Sequence, residues 1–176
     1  MYAYAIRIPE EELRRVAHHE AGHVVMGAIQ KIFCHGVFIA YEPSDLRADG
    51  SLRGSKFCVP MGNKPPWTKP DYLQSAAGAG SEKLFFGGYN RAASEDDRVM
   101  FSTPGAPAWE TTVDEAKDLM AGNEKIQFIA EAIISKCQNV PIQRWPDRGM
   151  NGSITRFKEI LGVHEIAQRL EGTTNT

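Results

Sequence analysis
The chain has 176 residues, 42% of them hydrophobic and 24% charged, enough for one ordinary globular core. Its formal net charge of −2 gives no electrostatic footing for nucleic acid or an anionic membrane. No stretch approaches the roughly 18 consecutive apolar residues of a membrane span, and three cysteines without CxxC spacing read as reduced thiols of a cytoplasmic protein.

The N-terminal "MYAYAIRIPEEELRR" lacks both the basic and the long apolar regions of a signal peptide. From Pro9 the pattern becomes helical. Pro9 suits a first helical position, and Glu10, Glu11 and Glu12 suit the positive end of the helix dipole. Leu13, Val16, Ala17, Ala21, Val24, Val25, Ala28 and Ile32 then recur at helical spacing. Beyond Gly36, "GVFIAYE" and "GSKFCVP" are β-rich runs separated by a polar, turn-prone segment, which predicts a small antiparallel hairpin. "MGNKPPWTKP" reads as a proline-rich connector.

"DYLQSAAGAGSEKLFFGG" predicts a second helix, although Gly78 and Gly80 each cost a helix about 1 kcal/mol relative to alanine. Close approach of another backbone, that of the first helix, would compensate. "SEDDRVMFS" predicts a short helix stopped by "TPGAP". A longer helix is expected from about Thr112, where "TVDE" fits a capping box, with a break at Gly122-Asn123. The loop "NVPIQRWPDRGMNG" should lead to a final helical region over 153–170, capped by Ser153 and interrupted near Gly162. Trp67, Trp109 and Trp145 all fall in proline-containing loops, where lids anchored on the body of the protein are the ordinary expectation. The expected fold is mainly α with a small β-hairpin or sheet (α+β), one domain over 1–176. Its motif-bearing core spans about 9–101 and a helical C-terminal part about 108–172.

The first helix carries "HEAGH" at 19–23, an H-E-x-x-H match. At about 100° per residue, His19 and His23 lie one turn apart on the same face, so both imidazoles can reach one Zn²⁺. Glu20 lies beside the metal rather than on it, where a general base takes a proton from water. Ala21 and Gly22 between them are small enough for another element to pack closely. The competing reading is a chance pair of hydrogen-bonded histidines. His18 points away from the paired face, where an exposed helical histidine is the ordinary case. Catalytic zinc needs a third protein ligand and an open position. His35 begins the hairpin and His164 lies in the C-terminal region, so "SEDD" at 94–97 is the better source. With Ser94 as N-cap, Asp97 at N3 folds back onto the cap amide and Asp96 is left to ligate, with Asp97 as the fallback. Acidic residues serving only the helix dipole are the plainer alternative. Cys34 and Cys58 could form a thiolate site across the hairpin, though apolar packing explains both.

Four segments in order resemble the FtsH-type zinc metallopeptidase family. "VAHHEAGHVVMGAI" resembles its zinc helix, and "GVFIAYEP" with "GSKFCVP" its β-hairpin. "AAGAGSEKLFFGG" resembles its glutamate-bearing helix, which places Glu82 on that glutamate. "AASEDDRVM" resembles the segment of its aspartate ligand, which places Asp96 there. The resemblance spans roughly residues 16–101 and implies a zincin-like helical metallopeptidase domain with one zinc per chain. It implies peptide or unfolded-protein substrates aligned on the hairpin's edge strand, and a possible homo-oligomer. The family's ATPase module and membrane anchor have no counterpart here, so a peptidase of this kind would act without ATP. The competing function is a catalytically inactive metal-binding module serving protein interaction. Retention of Glu20 beside both histidines favours the enzyme.

Overall fold
A computed structural model describes residues 8–52, 56–151 and 155–172. Helix α1 spans Glu10–Gln30, with Pro9 one step outside it as N-cap, its carbonyl accepting the Leu13 amide at 3.0 Å. It is buried without a break from Ala17 to Gly27, polar residues included. A buried polar side chain needs a partner, so its histidines must be satisfied by neighbouring elements.

The hairpin forms as expected. Strands β1 (Val37–Tyr41) and β2 (Lys56–Cys58) are antiparallel, with Phe38 opposite Cys58 and Ala40 opposite Lys56. After the connector, α2 runs Lys69–Phe86 with a Thr68/Asp71 capping box and Gly87 in the left-handed region at its end. Its glycines have separate reasons. Close backbone contact with α1 is made at Gly22 of α1, where an added Cβ would lie 2.5 Å from the Ala77 carbonyl oxygen. Gly78 instead makes room for the His19 and His23 rings. Gly80 admits the backbone of α3 (Trp109–Met120) near Val113 and Lys117.

The expected helix of "SEDDRVMFS" is a 3-10 segment, Asp96–Ser102. Helix α3 starts at Trp109 rather than at about Thr112. Thr112 makes no capping box, because its hydroxyl donates to the Ala108 carbonyl within the helix. Helix α4 (Lys125–Asn139) follows the break at Gly122-Asn123. Trp109 and Trp145 are buried parts of the body, with Trp145 Nε1 donating to the Val140 carbonyl.

The main correction concerns the C-terminal part. Strands β3 (Asp147–Asn151) and β4 (Thr155–Leu161) occupy the expected loop and the start of the expected helix; only α5 (Val163–Glu171) is helical there. The sheet order is β2-β1-β4-β3, antiparallel throughout. Both faces of β1 are largely buried, so it needs a ladder at each edge, and β4 supplies the second with Ile39 opposite Lys158. Pairing and burial of Ile160 and Leu161 override the helical local composition. The Ser153 cap lies outside the described residues. One hydrophobic core runs from Leu13 to Ile166, so the C-terminal helices share the core of the motif-bearing part. No helix among the described residues is long and apolar enough to cross a membrane.

Candidate metal centre
Residues Glu12, Arg15, Val16, His19, Glu20 and His23 make one stripe of α1 and form the floor of a cavity of about 590 Å³. One wall is β2 and the segment after it; the other is the turn from Asn90 to Asp97. β2 is the outermost strand, and its outer edge pairs with no other strand among the described residues.

His19 Nδ1 donates to Glu82 Oε1 at 2.8 Å, and His23 Nδ1 donates to the Gln74 carbonyl at 2.9 Å. Those acceptors fix both tautomers and leave each Nε2 with its lone pair inward. The two Nε2 atoms stand 3.1 Å apart, with Asp97 Oδ2 at 3.0 Å from His19 and 3.4 Å from His23. Three electron-pair donors facing one point repel each other unless a cation lies among them. Bonds of about 2.0–2.1 Å in a tetrahedral site separate ligand atoms by about 3.3 Å, so the set fits a metal ion. No other such group of three forms among the described residues.

Without a metal, protons take its part. Burial opposes a charged His19, but the hydrogen bonds its ring donates to Asp97 and Glu82 outweigh it and push the imidazole up to about 10. His23 also rises, against burial, through the charge and hydrogen bond of Asp97. Burial alone would raise Asp97; His23 and His19 prevail and hold its carboxyl well below the usual carboxylate range. Glu20 is buried beside this group, its carboxylate accepts no hydrogen bond among the described residues, and burial raises its pKa. Cys58 lines the same cavity, its thiol pushed up to about 12 by burial and the nearby Glu20 charge.

The structure thus joins His19, Glu20 and His23 to Asp97, and Asp96 does not reach the histidines. Asp96 is exposed and pairs with Lys56 Nζ at 2.6 Å. The reason is the local helix type. Ser94 caps nothing, its hydroxyl donating to the Asn90 carbonyl, and the tighter 3-10 turn starts at Asp96. Ser75 Oγ of α2 donates to the Asp97 carbonyl at 2.6 Å and holds that residue at the histidines. Glu82, on α2, takes the His19 Nδ1–H on one oxygen. Its second oxygen accepts the Asn90 amide at 3.1 Å.

His18 is buried, against the expectation of exposure. Its Nδ1 donates to the Arg14 carbonyl, Nε2 is hydrogen-bonded to Gln127 of α4, and the ring lies against Phe85 and Phe86. Cys34 and Cys58 are free, half-buried thiols. Gln74, Ser75 and Asn90 act through backbone atoms or one hydroxyl, and their spacing carries no sequence signal. No family model, curated protein or solved structure matches this chain.

Proposed function
We propose that the chain is a zinc-dependent endopeptidase, similar to the FtsH-type family, that hydrolyses peptides or unfolded protein segments without ATP. One observation carries the reading: His19, His23 and Asp97 converge beside a buried Glu20, whose carboxylate accepts no hydrogen bond among the described residues, in a cleft walled by the outermost strand. A purely structural zinc site is closed by four protein ligands and has no use for such a carboxylate.

Zinc held by His19, His23 and Asp97 would supply Lewis acidity, acidifying water and polarising a carbonyl. Glu20 accepts the proton of the attacking water at its carboxylate and returns it to the leaving amine. The upward shift caused by burial makes it a better proton carrier than an exposed glutamate. Glu82 and the Gln74 carbonyl hold both rings in the ligating tautomer. The free edge of β2 aligns an extended peptide by β-augmentation.

The test is metal stoichiometry by plasma mass spectrometry on wild type and His19→Ala, prepared side by side without metal-affinity tags. About one zinc per chain, lost in the variant, is the expected result. No metal in either, even after zinc is added back, overturns the reading. Glu20→Gln should keep its zinc and lose about 100- to 10,000-fold in turnover of an unfolded protein substrate. Zinc retention with no activity in the wild type would favour a catalytically inactive metal-binding module.

A further inference from the structure
Glu82 is 2% exposed, and a carboxylate so deeply buried needs its charge compensated. Oε1 accepts the His19 Nδ1–H, while Oε2 accepts the Asn90 amide and lies 3.4 Å from Arg15 Nη2. An imidazole that ligates a metal through Nε2 is uncharged. Arg15 is then the one lasting cation in contact with Glu82 among the described residues.

Arg15 is also held in place. The same Nη2 donates to the Gly88 carbonyl at 3.1 Å, and its guanidinium carbon sits 4.9 Å over the Phe86 ring. Residues 15, 19 and 23 fall on one row of α1, one turn apart. From that row Arg15 reaches both the buried carboxylate and the end of α2, where the chain turns toward Asn90 and Asp97. An exposed ion pair of this length would count for little; here one partner is wholly desolvated and the other is anchored by a ring and a carbonyl.

We propose that Arg15 is a positioning residue of the metal centre, acting through Glu82 to hold His19 in ligating geometry. The inference rests on the metal reading above. Its test is a double-mutant cycle with Arg15→Met, Glu82→Gln and the pair, read as zinc affinity by competition with a chromophoric chelator. Apo thermal midpoints and the visible spectrum of the cobalt-substituted proteins are measured alongside. Arg15→Met should weaken zinc about tenfold, the lower end for partners of a ligating histidine, and alter the cobalt band. It should have little further effect in the Glu82→Gln background. Arg15→Lys, which keeps the charge but loses the stacked fork, should fall between wild type and Arg15→Met.

Unchanged zinc affinity in Arg15→Met overturns the proposal. So does a loss of equal size with and without Glu82, or one that merely follows a lowered apo midpoint; either marks a general structural role. A wild type that binds no zinc is a different failure, visible before any variant is made, and removes the metal reading and this inference together.

Discussion

At the scale of single residues, a metal at the proposed centre would compete with protons for the same lone pairs. Against the burial of its ring, His19 is raised by Asp97, Glu82 and Glu20 from the ordinary imidazole range to about 10 in the metal-free chain. A raised folded-state pKa gives stability that is complete below the unfolded value, about 6.5, and disappears as pH climbs through about 10. The metal-free protein should therefore lose thermal stability between these limits, while the zinc-loaded protein should not. Zinc should also bind more tightly as pH rises from 6 to 9 and release protons. Calorimetry in buffers of different ionisation enthalpy checks this; a binding heat independent of buffer would refute it. His19, Glu20 and His23 were legible in the sequence because a helix fixes directions at four-residue spacing. The third acidic residue was legible only to within one position. A 3-10 turn and an α-helical turn aim adjacent residues differently, and the Ser75 hydroxyl that decides between Asp96 and Asp97 lies 22 residues away.

Among elements, the small-residue contact between α1 and α2 sets how close the histidines stand to their supports. Gly22→Ala would place a Cβ 2.5 Å from the Ala77 carbonyl oxygen and 2.6 Å from Ser81 Cβ, atoms with little room to retreat. It should destabilise the fold by about 1–3 kcal/mol, measured by denaturant unfolding of the metal-free chain. Gly78→Ala meets imidazoles instead of backbone, so it should reduce zinc content more than it lowers the unfolding midpoint. The sequence revealed the presence of these helices and the need for close approach. It concealed which element approaches which glycine, because that depends on three helices meeting at once. It concealed β4 for the same reason: "TRFKEIL" is strand only because β1 has a second edge to fill.

For the whole molecule, the four motif segments are not a unit that stands alone. Val113, Ile126, Ile129 and Ile133 are fully buried in the core that also holds Ala21 and Val25 of α1, and β4 is an inner strand of the sheet. A chain ended near residue 105 should fail to fold, seen as lost near-ultraviolet dichroism and rapid proteolysis. A cooperative, zinc-binding fragment would contradict that. The inner position of β4 also bears on how the protein is born. On the ribosome, His19, His23 and Asp97 emerge well before Thr155–Leu161, so a nascent chain carries all three candidate ligands while its sheet is still missing an inner strand. Phe157 of that late strand lines the cavity, so the groove that would grip a peptide is completed only after the residues proposed to cut it have been made.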